Sequence, residues 1–309
     1  MPQASANGLN IEYERFGNSD HPAVLLIMGL GMQLVGWPDE FCQSLAAEGF
    51  QVIRFDNRDI GLSSHLDHLG KPNLPWNLLK RSLGLTIKAP YSLDDMAADA
   101  LGLLDALGIA QAHVAGVSMG GMIAQLVAAR APDRVLSLAS IMSTSGAPGL
   151  PGPQAAAQAA LIRRPPRGSN TPGQREILVD FMQRNFEVIQ SPGFPTSIEM
   201  QKARIRRALD RAIHPVGVLR QLIAVAAAPD RSPLLATIRA PSMVIHGKDD
   251  PLIPPACGHD VASKIPGARW VEVPGMAHDM APGVCVRLLE LLPAHFRVAA
   301  PQQDHQPVI

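Results

Sequence analysis

The chain has 309 residues, enough to bury a full hydrophobic core as one large domain or as one domain with an insertion. Apolar residues make up 47% and charged residues 17%, and the 27 basic and 27 acidic side chains cancel to a formal net charge of zero. That balance removes the electrostatic case for nucleic acid or an anionic membrane as an obligatory partner. Cys42, Cys257 and Cys285 form no spaced framework and read as reduced thiols of a cytoplasmic protein. The start "MPQASANGLN" lacks the basic residues and apolar run of a signal peptide. No uninterrupted apolar stretch of about 20 residues occurs, so no membrane span is expected.

In chain order, strands are expected at "LNIEYERF", "AVLLIM", "QVIRFD" and "AHVAGV", then at "VLSLASIM", "SMVIH" and "RWVEV". Helical patterns alternate with them, which predicts a largely parallel sheet with helices on both faces. Between Tyr91 and Gly108 the run "SLDDMAADALGLLDALG" reads as a helix with Ser92 as N-cap. Its aspartates fit dipole compensation and solvation on the outer face. From about Ser145 to Pro233 the texture changes to breaker-rich loops and helical stretches, with no strand between them. The expected layout is a core over 1–144 and 234–300, an α-helical cap over 145–233, and a flexible tail over 301–309. Arg163, Arg164, Arg167, Arg204, Arg206, Arg207 and Arg211 cluster in the cap region. A solvated helix face is the default account of them, and an acidic-substrate funnel a lesser one.

One pentapeptide carries chemistry. Gly116-Val117-Ser118-Met119-Gly120 is a G-x-S-x-G motif after an apolar run and before "GMIAQLVAARAPDR", which reads as an amphipathic helix. A nucleophilic serine on a tight strand-to-helix turn needs small residues two before and two after it, so that strand and helix can approach. The bland alternative is a glycine-rich turn with an incidental serine. A dinucleotide fingerprint would want glycine where Ser118 stands, and a phosphate loop would need a Lys-Ser or Lys-Thr pair.

The ordered set "IMGLG", "GWPDEF", "VIRFDNRDIGLSS", "GVSMGG", "DDPLIP" and "PGMAH" resembles the α/β-hydrolase superfamily over the whole chain. It is similar in particular to the esterase branch that includes aclacinomycin methylesterase. The set is strongly specific for the fold and weakly specific for substrate. The resemblance implies hydrolysis of carboxylic esters through an acyl-enzyme, a small-molecule ester as partner, and no cofactor or metal. It implies Ser118 as nucleophile and His278, in the loop after "RWVEV", as base, following the Ser–acid–His order of such proteins. The oxyanion hole falls to the backbone N–H groups of Met119 and of Leu30, which follows the Met28-Gly29 pair.

The acid lies in "IHGKDDPLIPP", where metal ligation and a salt-bridged turn are the competing readings. No second ligand cluster at metal-like spacing accompanies it. The superfamily spacing G-x-x-D, counted from Gly247, selects Asp250 as the acid. Asp249 is then expected to brace the turn, and His246 to lie buried and hydrogen-bonded in the strand. Arg58 and Asp59 are expected as scaffold, with a lesser chance of shaping the pocket. Phe181, Met182, Phe186 and Phe194 are expected either to wall an apolar pocket or to serve ordinary packing. Two readings of other classes stay open: a cofactor-free perhydrolase or haloperoxidase-like activity on the same residues, and a non-enzymatic binding protein on a hydrolase fold.

Overall fold

The computed structural model describes residues 2–166, 168 and 173–299. The expectations for Arg167 and for the tail 301–309 lie outside the described residues. Eight strands form one sheet: β1 (Gln3–Ala6), β2 (Leu9–Phe16), β3 (Ala23–Ile27), β4 (Gln51–Phe55), β5 (Ala112–Val117), β6 (Val135–Ile141), β7 (Ser242–Gly247) and β8 (Arg269–Val273). Their spatial order is β1-β2-β4-β3-β5-β6-β7-β8. The β1/β2 and β2/β4 pairs are antiparallel, and every later pair is parallel.

β3, β5 and β7 are buried along their whole length, as strands covered on both faces must be. The side-chain period of two divides β3 between two cores. Leu25 and Ile27 join a cluster with Met96, Leu103, Ile123, Val127 and Val261. Val24 and Leu26 join the opposite one, with Trp37, Phe41, Leu288, Leu292 and Phe296. The helices behind the first are α3 (Leu93–Ala106), α4 (Met119–Arg130) and α10 (Pro255–Lys264); behind the second are α1 (Asp39–Ala47) and α11 (Pro282–Ala299). α2 (Leu74–Ser82) lies between β4 and α3 in the chain.

Between β6 and β7 the described residues carry α5 (Ala155–Ile162), α6 (Arg175–Glu187), α7 (Ile198–Arg211), α8 (Pro215–Ala227) and the short α9 (Ser232–Leu235), with no strand. Among the described residues no helix is long and apolar enough to cross a membrane.

α3 starts as expected, and its cap is reciprocal. The Ser92 hydroxyl accepts from the Asp95 amide at 3.1 Å, and the Asp95 carboxylate accepts from the Ser92 amide at 2.7 Å. The expected outer face for its aspartates fails at Asp99, which is buried and grips Arg58 through two bonds of 2.6 and 2.7 Å. α4 is also not amphipathic, because every residue from Met119 to Ala128 is buried. β1 was not among the expected strands. Its hairpin turns on Asn7 and Gly8, both at positive φ (49° and 77°), the two-residue turn that an Asn-Gly pair favours.

Two of the arginines between β6 and β7, Arg204 and Arg211, are tethers, which corrects the solvated-face expectation for them, while Arg163, Arg164 and Arg207 are exposed. Arg204 donates to the Met280 carbonyl at 2.8 Å, Arg207 pairs with Asp39 at 2.8 Å, and Arg211 reaches Asp56 at 3.0 Å and Gln33 at 2.6 Å. Arg206 pairs with Glu176 on α6 at 2.6 Å, and both Arg206 and Arg207 keep much of their side chains in solvent.

Candidate active site

Ser118 sits between the end of β5 and the start of α4 at φ 57°, ψ −121°. A non-glycine residue held there stores backbone strain, and the surroundings must impose it. Its amide donates to the Ile141 carbonyl at 2.9 Å, and its carbonyl accepts from the Ser143 hydroxyl at 2.8 Å. The neighbouring glycines allow the turn. A Cβ on Gly116 would lie 2.1 Å from the Gly120 carbonyl oxygen, and one on Gly120 would lie 2.1 Å from that of Ile27. A Cβ on Gly121 would lie 2.6 Å from that of Ser143. Small residues are thus a steric requirement of this turn.

The structure brings Ser118, His278 and Asp250 into one hydrogen-bonded line. His278 Nε2 lies 2.9 Å from Ser118 Oγ, and His278 Nδ1 lies 2.7 Å from Asp250 Oδ2. A carboxylate can only accept, so Nδ1 carries the proton and Nε2 presents a lone pair to the serine. Asp250 and His278 are buried.

Asp250 is held from every side. Oδ1 accepts the amides of Leu252 and Ile253 at 2.8 and 2.9 Å. His246 donates Nε2–H to the Ile253 carbonyl at 2.8 Å and stands 3.4 Å from Asp250 Oδ2. It is buried in β7, as expected. Burial works to raise the Asp250 pKa. Neighbouring His278 and the hydrogen bonds from His246 and His278 outweigh it and hold the carboxyl well below the usual carboxylate range. Asp249 takes the bracing role, accepting the Gly275 amide at 2.8 Å.

The Met28-Gly29-Leu30 loop meets the serine directly, since a Cβ on Gly29 would lie 3.2 Å from Ser118 Cβ. Neither the Leu30 nor the Met119 amide donates to a protein group among the described residues. The next amide, Gly31, is engaged: it donates to Gln221 Oε1 on α8 at 2.9 Å. Gln221 in turn donates to the Arg58 carbonyl at 2.9 Å, and Asn57 donates to the Met28 carbonyl at 2.9 Å. Asp56 accepts the Leu34 and Leu62 amides at 2.6 and 2.9 Å. The "DNRD" stretch therefore supports the loop beside the serine. Arg58 and Asp59 are scaffold, bound to Asp99 and to Arg220 of α8.

The histidine loop is anchored too. His278 donates its amide to the Ile189 carbonyl at 3.0 Å, and the Ala277 amide donates to Ser191 Oγ at 2.8 Å. That hydroxyl donates to Asp279, whose pKa burial raises against the pull of the Ser191 bond. Sequence reasoning missed Ser191, Asp279, Asn57 and Gln221. Asn57 lay inside a quoted motif, but the other three sit in no pattern that marks them. Phe194 takes the packing role, its ring held against Gly283 at the start of α11. Phe181, Met182 and Phe186 are half-buried on α6. Among the described residues no three His, Cys, Asp or Glu side chains are arranged to hold a metal ion.

Two curated relatives align with nearly the whole chain. Rhodomycin D methylesterase DauP of Streptomyces sp. (strain C5) is 30% identical over 305 residues, covering 93% of this chain and 94% of that protein. Rhodomycin D methylesterase DnrP of Streptomyces peucetius is 30% identical over 310 residues with the same coverage, 93% and 94%. Among solved structures, the enol-lactonase from Burkholderia xenovorans LB400 superposes with a TM-score of 0.67. It covers 96% of this chain and 100% of that one at 24% identity, which is a likeness of fold. Residues 22–281 match the family described as alpha/beta hydrolase fold. The matched span runs from the residue before β3 to the residue before α11, so it holds every parallel strand and the whole Ser118–His278–Asp250 line, and the chain belongs to the alpha/beta hydrolase fold family.

Proposed function

We propose that the protein is a carboxylic ester hydrolase in which Ser118 is the nucleophile, His278 the general base and Asp250 the acid that orients it. The observation that carries this reading is the unbroken line from Ser118 Oγ through both ring nitrogens of His278 to Asp250, at 2.9 and 2.7 Å. His278 Nε2 takes the Ser118 proton as Oγ attacks the ester carbonyl. The N–H groups of Leu30 and Met119 receive the tetrahedral oxyanion, and losing one such donor costs about 3 kcal/mol of barrier. His278 then protonates the departing alcohol. A water attacks the acyl-enzyme by the same route, and Ser118 is regenerated. Asp250 stays ionised throughout and stabilises the imidazolium.

The fold extends the reading to substrate. The described helices of the segment 145–233 serve as a cap over the core 1–144 and 234–300, tied to the loop beside the serine by Gln221 and to the histidine loop by Ser191. Similarity to two methylesterases over most of the chain supports methyl esters of bulky acids as the substrate class. Cys42, Cys257 and Cys285 are free and buried, which fits a reducing cytoplasm.

The test is turnover of a panel of esters that varies acyl length and alcohol size independently, with wild type and Ser118→Ala. The expected result is a preference for methyl esters of bulky acids, and a fall in kcat of roughly 10³-fold or more in the variant. Undiminished turnover by Ser118→Ala would sink the assignment. A preference for short acyl chains on any alcohol would remove the methylesterase refinement and leave a general carboxylesterase.

A further inference from the structure

The zero net charge of the chain averages over a local imbalance. Residues 68–93 contain no aspartate or glutamate and four basic residues, Lys71, Lys80, Arg81 and Lys88. The same stretch carries α2, which contacts α8. Trp76 on α2 and Leu83 just past its end are seven residues apart, so they share one stripe of the helix surface. They are 53% and 63% exposed, and Leu85 beside them is 54% exposed. Leu83 still donates to the Leu79 carbonyl at 3.1 Å, so the helical path carries it onto that stripe. Leu79, 48% exposed, falls between them. The Lys80 ammonium stands 5.7 Å from the centre of the Trp76 ring, and Lys71 and Lys88 are exposed at either side in sequence.

An exposed aromatic–aliphatic stripe beside cations, with no acid along the segment, has the chemistry of a helix that lies at a lipid interface. Tryptophan favours the headgroup level, lysine reaches anionic headgroups, and leucine enters the acyl boundary. A second copy of the chain fits less well, because a two-fold contact through this stripe would bring the two basic flanks together.

We propose that α2 and the turn to Leu85 form a peripheral docking surface for an anionic lipid membrane, with Trp76, Leu83 and Leu85 entering the interface and Lys71, Lys80 and Lys88 meeting the headgroups. This goes beyond the ester-hydrolase reading and does not depend on it, since docking needs neither Ser118 nor His278.

The test uses the full chain and vesicles of phosphatidylglycerol with phosphatidylcholine, against vesicles of phosphatidylcholine alone. Trp37 is fully buried and Trp270 half-buried, so Trp76 is the exposed indole and its emission reports insertion. Wild type is expected to co-sediment with the anionic vesicles at low salt, with a blue shift in emission, and to be released as salt rises. Leu83→Ser with Leu85→Ser keeps the reporter and should lower the bound fraction about tenfold, with an unchanged thermal unfolding midpoint as the fold control. Lys71→Glu with Lys88→Glu is the second variant, expected to abolish the preference for anionic vesicles. Absence of wild-type association overturns the proposal, as does equal association with neutral vesicles. Retained binding by both variants overturns it too. Self-association seen by sedimentation velocity and lost in the leucine variant, without vesicle binding, would make a second copy the occupant and overturn it as well.

Discussion

Asp249 and Asp250 are adjacent, chemically identical and differently employed. Asp250 is buried and spends one oxygen on two amides and the other on His278, with His246 3.4 Å from that second oxygen. Asp249 is exposed and ties its loop to Gly275. Asp250→Asn should therefore cost roughly 10³–10⁴-fold in kcat for ester turnover, because an amide can offer His278 an N–H where it needs an acceptor. Asp249→Asn should leave kcat within a few-fold and lower stability by less than about 1 kcal/mol, because its amide oxygen can still accept the Gly275 N–H. Steady-state kinetics and urea denaturation on both variants check the pair, and the reverse ranking would move the acid by one residue. The position of Asp250 beside His278 was legible because the superfamily spacing G-x-x-D, counted from Gly247, is a short pattern. The partner of Asp249 was not, because Gly275 lies on the next strand's far side and no short pattern links the two.

At the scale of elements, the turn from β5 to α4 is where sequence and geometry agree most closely, because its constraint is steric and local. Gly116, Gly120 and Gly121 each stand where a Cβ would press on backbone or on Ser143. Gly120→Ala should destabilise the fold by about 1–3 kcal/mol through overpacking, since the obstacle is the Ile27 carbonyl, a strand backbone that cannot swing away. Denaturant unfolding measures it, and a wild-type midpoint would show that the turn has slack. The misread elements share a different cause. The periodicity of α3 shows which aspartates share a face, but not that Asp99 would meet Arg58 from the loop after β4. Arg204 and Arg211 of α7 look solvated in sequence, because Asp56 and the Met280 carbonyl come from distant parts of the chain. Long-range pairing decides these residues. The Asn-Gly pair of β1, by contrast, was a local signal available in the sequence.

At the scale of the molecule, several elements of one sheet face converge on a residue with no part in the proposed chemistry. His113 on β5 is fully buried, bonds Ser137 of β6 at 2.8 Å and stacks on Phe296 of α11 at 4.9 Å, with Phe50 edge-on at 5.8 Å. Burial lowers its pKa from 6.5 to about 4, helped by neighbouring His295. The unfolded chain therefore takes up the proton first as pH falls. The neutral imidazole's contribution is complete above about pH 6.5 and is lost progressively down to about pH 4, a window worth about 3 kcal/mol. Asp250, whose pKa is lowered, acts in the same direction but below the usual carboxylate range, so the two losses are separated in pH. His113→Asn should be less stable than wild type at neutral pH, for want of the ring packing. Its stability should nonetheless fall less steeply between pH 6.5 and 4, with the shallower residual slope coming from His295, which burial also lowers. Urea midpoints across that range measure both slopes. Parallel curves would mean that His113 adds nothing to the acid sensitivity, and that the core around β5 accommodates a charged imidazole.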